Sequence, residues 1–391
     1  MSILAHKIRL RLNQSQTAFL QQCAGTSRFV YNWALNAWNK QFEAGDKPNG
    51  NSLRKQLTAI KAVEFPWMQS ISAAVATNAV MDLGVGFKNF FTNPTQFKHP
   101  AFKSRHKSKP SFNPWDGGRI AIQDKLLRVP NLGLVKLREP LRFAGRIISG
   151  TISREANQWY VSITVETEVQ KPRISDISVG IDLGCKDLAV LSTGRKFEGA
   201  KPLKKLSEKL ARNSRQLSRK IKGSANRAKA KLSLAALHKR IANVRKDYLH
   251  KLSAQIVLKF NKIVLEDLNI KGMVKLRSLA RSVNDQSLGE FVRQLKYKAA
   301  LYGSQVFQVD RFFPSSKTCS SCKTVKEDLT LSDRVYHCVN CSISVDRDIN
   351  AALNLLNQLP LLEREVTPME SNPLGSQRSR KRMILNGGLS L

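Results

Sequence analysis

The sequence has little acidic charge, few cysteines and no long apolar runs. It contains 29 acidic residues against 65 lysines and arginines, which gives a formal net charge of +36. Such an excess of positive charge favours a polyanionic partner, and nucleic acid is the first expectation. No segment reaches 18 consecutive apolar residues, which excludes a transmembrane helix. Charge alone does not separate an enzyme from a ribosomal or chromatin-like protein that only neutralises phosphate.

Only six cysteines occur, and four of them form two C-x-x-C pairs with fifteen residues between the pairs: Cys319, Cys322, Cys338 and Cys341. Two such pairs supply the four thiolates of a structural Zn²⁺ site, which leaves no open position for a substrate. The alternatives are two disulfides or four unrelated thiols. Residues 1–10 carry charge and no secretory pattern, so a reducing compartment and zinc are favoured. Cys23 and Cys185 lie in apolar stretches, and we expect them to be buried and inert.

The N-terminal third predicts one strand followed by helices. Residues 3–10 alternate as in a strand, and Asn13 is a suitable cap for the helix that follows. Further helices are predicted over 51–63 and 68–91. Residues 98–110 are strongly basic and include two phenylalanines, so they either contact phosphates and bases or form a solvated linker.

Between residues 119 and 166 the apolar period changes to two. This period predicts a small antiparallel barrel or sheet with turns at 117–118 and 156–157, built from strands 119–122, 126–129, 134–137, 147–154 and 158–166.

Residues 177–198 predict two further strands, and residues 201–246 predict a helical hairpin broken at 223–226. The hairpin carries sixteen lysines and arginines but a single acid, Glu208, so we expect it to bind phosphates. Strands are then predicted at 262–268 and 305–309, and helices at 286–302 and 349–356. After Pro360 the sequence loses its periodicity, and disorder is expected.

Three acids stand at the ends of predicted elements. Asp182 and Glu266 each follow a short apolar strand, and Asp348 begins a helix. Three converging carboxylates can hold two Mg²⁺ or Mn²⁺ ions for in-line attack on a phosphodiester. Each acid also has an ordinary alternative. Asp182 could cap a turn, Glu266 could pair with Lys262, and Asp348 could be a first-turn acid favoured by the helix dipole.

Four motifs resemble those of the TnpB/OrfB family of transposon-encoded proteins, the relatives of the type V CRISPR effectors. They are Val-Gly-Ile-Asp182-Leu-Gly, Ile-Val-Leu-Glu266-Asp-Leu-Asn, Pro314-Ser-Ser-Lys-Thr-Cys319-Ser-Ser-Cys322 and Asp346-Arg-Asp348-Ile-Asn-Ala-Ala. Residues 28–35 and 102–105 also resemble the N-terminal half of the family, so the resemblance spans roughly residues 1–357. It implies that Asp182, Glu266 and Asp348 are the catalytic acids and hold the magnesium ions.

The resemblance also implies a multidomain α/β architecture. We expect a wedge β-barrel over 1–10 and 98–170, and a helical recognition domain over 11–97. A RuvC-like (RNase H-like) nuclease domain is expected over 171–315 and 345–360, with its basic hairpin at 201–250. A zinc ribbon over 316–344 would interrupt the nuclease domain, and residues 361–391 would form a disordered tail.

The function implied is that of an RNA-guided, Mg²⁺-dependent DNA endonuclease of an insertion sequence. It would bind a guide RNA from the transposon end and double-stranded DNA beside a short flanking motif, as a monomeric, cytoplasmic, nucleoid-associated ribonucleoprotein without membrane contact. Two alternatives stay open: a catalytically silent RNA-guided repressor, which the intact triad argues against, and a stand-alone transposase. Between the two neighbouring acids, Asp346 suits a helix N-cap, and Asp348 suits the third metal ligand.

Overall fold

The computed structural model describes residues 2–105, 107–116, 119–168, 176–330 and 332–366, and these form a mixed α/β architecture as expected. The turn predicted at 117–118 lies outside the described residues. Within them, no helix is long and apolar enough to cross a membrane.

Three N-terminal helices pack around their own core. They are α1 (Gln14–Glu43), α2 (Gly50–Glu64) and α3 (Ala73–Thr92). Asn13 caps α1 as predicted, since its side chain accepts a hydrogen bond from the backbone N–H of Gln16. The helix predicted over 68–91 starts five residues late, at Ala73, because a 3₁₀ helix (Pro66–Ser70) precedes it. Trp38 stacks on Phe87 at 4.1 Å inside this core.

A seven-stranded antiparallel sheet follows, in the order β2-β6-β7-β1-β5-β4-β3. Its strands are β1 (Ser2–Arg11), β2 (Ser111–Phe112), β3 (Ile122–Gln123), β4 (Leu126–Val129), β5 (Gly133–Leu137), β6 (Arg146–Glu155) and β7 (Gln158–Thr167). The predicted strand 119–122 is largely wrong, since only Ile122 and Gln123 pair there. The buried faces of β1 and β4–β7 contribute to one core, which residues of α1 and α3 also join. Among the described residues β2 and β3 are the two edges, and closure into a barrel stays a prediction.

A second, five-stranded sheet carries the predicted acids, and its order is β10-β9-β8-β11-β12. The strands are β8 (Ser178–Asp182), β9 (Ala189–Leu191), β10 (Lys196–Phe197), β11 (Lys262–Glu266) and β12 (Gln305–Val309). Strands β8, β9 and β10 form an antiparallel meander, while β11 runs parallel to both β8 and β12. The carboxyl ends of β8, β11 and β12 therefore meet at one edge.

Six helices lie between β10 and β12 in sequence: α4 (Pro202–Lys205), α5 (Ser207–Ser218), α6 (Ala225–Lys259), α7 (Ile270–Lys275), α8 (Arg277–Gln286) and α9 (Leu288–Tyr302). The hairpin predicted at 201–246 is formed by α5 and α6, but α6 continues to Lys259, where its last turns pack under the sheet. The helix predicted at 286–302 begins at Leu288, and the polar helices α7 and α8 were not predicted.

The C-terminal part contains a small ribbon and two helices: β13 (Val335–His337), β14 (Ser344–Asp346), α10 (Arg347–Asn357) and α11 (Leu359–Val366). The tail predicted to be disordered from residue 361 is corrected here, because residues 361–366 are helical. Pro360 lies in the first turn of α11, where its missing N–H is not needed. Leu359 and Leu362 then pack beside Val264 and Val309. Residues 367–391 lie outside the described part of the chain.

Candidate functional site

Asp182 and Glu266 lie side by side at the carboxyl edge of the second sheet. The register pairs Ile181 with Leu265, so the next residues, Asp182 and Glu266, end their two strands together. Side chains alternate between the faces of a sheet. Ile181 and Leu265 are packed against α6 and α9, so Asp182 and Glu266 face the opposite side, where α10 lies.

Helix α10 brings Asp348 to the same place by packing directly on β8. A Cβ added at Gly180 would lie 2.0 Å from the carbonyl oxygen of Ala352, which means that the helix backbone rests on this glycine. Asp348 is one helical turn before Ala352, and Asp182 is two residues after Gly180. One turn of helix and two residues of strand each span about 5–7 Å, so Asp348 and Asp182 come together at the sheet edge.

Burial and the charges of the other two acids act on Asp182. The pKa of Asp182 is raised to about 8 by burial and then by the negative charges of Glu266 and Asp348, while Arg347 partly offsets this rise. Burial raises the pKa of Glu266 to about 6. Carboxylates held together in a partly buried site are costly unless they are protonated or bind a cation. Perturbed acids of this kind are typical of functional sites.

The two neighbouring acids of the fourth motif, Asp346 and Asp348, have different roles. Asp346 caps α10, since its Oδ1 accepts hydrogen bonds from the N–H groups of Asp348 and Ile349 at 3.1 and 3.2 Å. Its Oδ2 forms an ion pair with Lys196 Nζ at 2.6 Å. Asp348 is the member of the pair whose charge acts on Asp182. Of the alternatives, the Lys262 partner proposed for Glu266 is wrong, because Lys262 pairs with Glu363 at 2.6 Å.

The four cysteines cluster as the C-x-x-C spacing predicts. Their sulfur atoms all lie within 4.8 Å of one another, with Cys319–Cys341 at 3.6 Å and Cys322–Cys338 at 3.5 Å. Zn–S bonds of about 2.3 Å place tetrahedral sulfurs about 3.8 Å apart, so the geometry fits a zinc ion. Hydrogen bonding with Thr324 lowers the pKa of Cys322 to about 5, whereas burial raises the pKa of Cys319 to about 11, so the fit to zinc rests on the sulfur spacing. Among the described residues, no other group of three or more His, Cys, Asp or Glu side chains converges as these cysteines do, so the three carboxylates lie less close together than the sulfurs.

The cysteine cluster is joined to α10 by two buried asparagines that sequence reasoning missed. Asn350 donates a hydrogen bond to the carbonyl oxygen of Thr318 at 2.7 Å and accepts one from the N–H of Ser320 at 2.9 Å. Asn354 donates to the carbonyl oxygens of Ser315 at 2.8 Å and Thr318 at 2.5 Å. The first cysteine pair is thereby fixed to the helix that carries Asp348. The sequence shows only two asparagines at i and i+4 in a predicted helix, and the structure shows that both are fully buried, where amides need partners.

The basic segment 98–109 divides into exposed and anchored parts. Lys98, Arg105 and Lys107 are exposed, as is Phe102, so these side chains are accessible to a nucleic acid, whereas Lys109 is paired with Glu155. Lys103 is not exposed, because its Nζ lies 3.5 Å from the centre of the Tyr31 ring. The side chain of Asn32 also bonds the backbone of Lys103 in both directions, at 2.8 and 3.0 Å. Lys103 therefore anchors the segment to α1.

A lysine cluster joins the first sheet to the long helix α6. Glu155 forms ion pairs with Lys7, Lys109 and Lys239. The ammonium groups of Lys7 and Lys239 also lie over the ring of Tyr160. Three cations share one carboxylate, so this contact keeps a net positive charge. Sequence reasoning had no signal for it, because the four charged residues come from distant parts of the chain.

Family models match three stretches of the chain. The OrfB_IS605 model, described as "Probable transposase", matches residues 161–277, and a "Cas12f1-like, TNB domain" model matches 289–355. A model described as a helix-turn-helix domain matches 1–47. Described residues 2–47 contain β1 and one continuous 30-residue helix, so a helix-turn-helix is not formed within that stretch.

Two relatives match most of the chain. A protein of Escherichia coli named "Putative RNA-guided DNA endonuclease InsQ" is 34% identical over 370 residues, which cover 90% of this chain and 91% of the relative. The chain belongs to the TnpB/OrfB family. A second member, a Streptomyces pristinaespiralis protein named "Putative RNA-guided DNA endonuclease", is 33% identical over 362 residues, covering 90% of this chain and 88% of the relative.

A solved structure shares the fold of the protein described here. It is the Cas12f1 chain of a complex described as "Cas12f1-sgRNA-target DNA", with a TM-score of 0.56. The match covers 88% of this chain and 83% of the Cas12f1 chain at 16% sequence identity. At that identity the likeness concerns architecture, and the chemistry rests on the side chains described above.

Proposed function

We propose that this protein is an RNA-guided, Mg²⁺-dependent DNA endonuclease. The observation that carries the proposal is the meeting of Asp182, Glu266 and Asp348 at one sheet edge, where the pKa of Asp182 is raised to about 8. The names of the two relatives support the same activity. The meander of β8–β10 followed by the parallel strands β11 and β12 is the layout expected of a RuvC-like domain over 171–315 and 345–360.

The three carboxylates are hard oxygen ligands and would hold two Mg²⁺ or Mn²⁺ ions. Such ions activate a water molecule and stabilise the leaving 3′ oxygen of a phosphodiester. Within the protein, Gly180 keeps α10 close enough to β8 for Asp348 to join the other two acids. Asp346 fixes the start of that helix through its cap and its ion pair with Lys196.

The four cysteines would hold one structural Zn²⁺ as a ribbon over 316–344, a proposal supported by their sulfur spacing. A closed four-thiolate site takes no part in the cleavage step. Its contribution would be mechanical, since Asn350 and Asn354 tie the first cysteine pair to α10.

The guide RNA and the target DNA would bind along the basic surfaces. Helix α5 has no buried side chain, and its basic residues are available to phosphates. We further propose that the first sheet, whose strands lie mainly within 1–10 and 98–170, acts as a wedge, with the helices of 11–97 as the recognition domain. Base pairing would read most of the target, and protein contacts would read a short flanking motif.

The test is a cleavage assay on the purified protein with and without its co-purified RNA. We expect Mg²⁺-dependent cutting of double-stranded DNA that matches the RNA, and we expect Asp182→Ala and Glu266→Ala to abolish cutting while target binding is retained. Cutting or strand transfer without RNA would favour a stand-alone transposase. RNA-dependent binding without cutting by the wild type would favour a repressor, and it would refute the nuclease assignment.

A further inference from the structure

Phe312 is the most exposed aromatic side chain in the described part of the chain, with 86% of its surface accessible. Its neighbour Phe313 is partly buried against the small core of Val309 and Leu355. Phe313 therefore anchors the backbone, while the ring of Phe312 is left in solvent. An exposed phenylalanine contributes nothing to the core, so its place in the fold gives the best indication of what it contacts.

The backbone around Phe312 is held by hydrogen bonds and an ion pair. The N–H of Phe312 donates to Asp310 Oδ1 at 2.8 Å, and the N–H of Phe313 donates to the carbonyl oxygen of Asp310 at 3.2 Å. Arg311 also binds Asp267 twice, through an ion pair of 2.5 Å and a hydrogen bond of 3.2 Å to its carbonyl oxygen. Asp267 directly follows Glu266. The turn that carries Phe312 is thus bonded to the residue next to a proposed metal ligand.

This turn lies at the same sheet edge as the acids. The register pairs Val309, the last residue of the outer strand β12, with Glu266, and Phe312 lies three residues further on, in the turn that follows this strand. One strand spacing of about 4.8 Å and at most three residues of extended chain place the two Cα atoms no more than about 15 Å apart. A DNA strand whose phosphate reaches the carboxylates would therefore have its neighbouring nucleotides within reach of the ring.

We propose that Phe312 is a stacking platform for a base of the DNA strand held at the carboxylate site. The proposal rests on the proposed nuclease function. Stacking on an aromatic face is tolerant of sequence, which suits an enzyme whose target is chosen by base pairing. The occupant is taken to be DNA because the chain carries a net charge of +36 and the ring lies beside the site where a phosphodiester would be cut. Phe312 would act as a positioning residue that makes no contact with the metal ions.

The first test compares Phe312→Leu and Phe312→Trp with the wild-type ribonucleoprotein in Mg²⁺. Leucine keeps apolar bulk but removes the aromatic face, so we expect KM for a single-stranded DNA oligonucleotide to rise about 5- to 100-fold with a smaller change in kcat. Tryptophan should restore the wild-type KM. The matched control is Leu361→Ala, since Leu361 is a 53% exposed apolar residue on α11 and belongs neither to the carboxylate site nor to the cysteine cluster. A Phe312→Leu enzyme with the KM of the wild type would overturn the proposal.

The second test does not depend on cleavage. DNA oligonucleotides carry 2-aminopurine at successive positions, and their fluorescence is measured on binding to Asp182→Asn protein with and without Phe312→Leu. Stacking predicts quenching confined to one or two positions, and its loss in the double variant. An abasic nucleotide at that position should weaken binding only when Phe312 is present. Equal quenching in both proteins would refute stacking, whereas a wild type that never cuts would refute only the nuclease proposal.

Discussion

Replacing Gly180 with alanine tests the contact that assembles the three acids. The new Cβ would lie 2.0 Å from the carbonyl oxygen of Ala352 and 2.7 Å from the N–H nitrogen of Leu356. Cβ atoms are essentially never found closer than 3.0 Å to another heavy atom, so the helix must move by at least 1 Å relative to β8. Both obstructing atoms belong to the backbone of α10, and neither can rotate out of the way.

The expected cost has two parts. Overpacking of this kind destabilises a core by about 1–3 kcal/mol, which corresponds to a fall of roughly 2–10 °C in the melting temperature. The larger effect is on catalysis, because Asp348 moves with α10. A displacement of about 1 Å in a catalytic group can lower the rate about 100-fold. Binding of RNA and target DNA should be unchanged, since Gly180 is covered by α10.

The assay is single-turnover DNA cleavage in Mg²⁺, with target binding and thermal unfolding measured on the same samples. Gly289→Ala is the matched control, because its Cβ would meet only the side chain of Ile270 at an ordinary 3.5 Å. We expect this control to cut at the wild-type rate. A Gly180→Ala protein that binds, melts and cuts like the wild type would mean that α10 does not rest on β8 as described.

Four further predictions follow from the same contacts. Because the pKa of Asp182 is raised from 3.8 to about 8, the metal-free protein loses stability as the pH rises through that window. Asp182→Asn should therefore raise its free energy of unfolding by up to about 1.4 kcal/mol per pH unit in this window. Urea unfolding in chelator that shows no gain at pH 8 would contradict this prediction. Asp348→Ala should abolish cleavage. Asp346→Ala should lower the free energy of unfolding by about 0.5–2 kcal/mol through the lost cap and should remove only part of the activity. The opposite order of activities would show that the ligand assignment is wrong. Glu155→Gln should destabilise the RNA-free protein by about 1 kcal/mol at pH 7, because three lysines lower the pKa of Glu155. That difference should vanish as the pH falls well below 4.5, and a difference independent of pH would show that charge is not the cause. Cys338→Ser should lower the zinc content found by elemental analysis and reduce the melting temperature, whereas wild-type protein purified without chelator and found free of zinc would refute the metal site.

Local signals in the sequence were enough to predict several features. The spacing of the two C-x-x-C pairs predicted the cysteine cluster, and the short-range cap patterns predicted the roles of Asn13 and Asp346. Strand 305–309 was predicted with its observed bounds. The caps and the strand depend on residues within a few positions of one another, and the cysteine cluster depends on the ligands that a single zinc ion requires. The excess of positive charge likewise needed no fold to indicate a polyanionic partner.

Motif resemblance identified the three acids, but only the tertiary structure brings them together. Asp182, Glu266 and Asp348 are more than 80 residues apart in sequence, and their meeting depends on parallel pairing of β8 with β11 and on the close contact of α10 with Gly180. Periodicity within a strand cannot specify its neighbour. It also cannot show which of several lysines an acid will meet, since long side chains reach partners that the fold selects.

The same limit explains the sequence predictions that were wrong or absent. Lys262 pairs with Glu363 because α11 packs beside β12, and Lys103 is anchored because the basic segment folds back over Tyr31. Helix α11 forms past Pro360 because Leu359 and Leu362 have a core to join. The sequence thus determined the chemistry that the chain carries, including thiolates, carboxylates and phosphate-binding cations. The tertiary structure decided which of those groups meet, because contacts between distant residues depend on the packing of the whole chain.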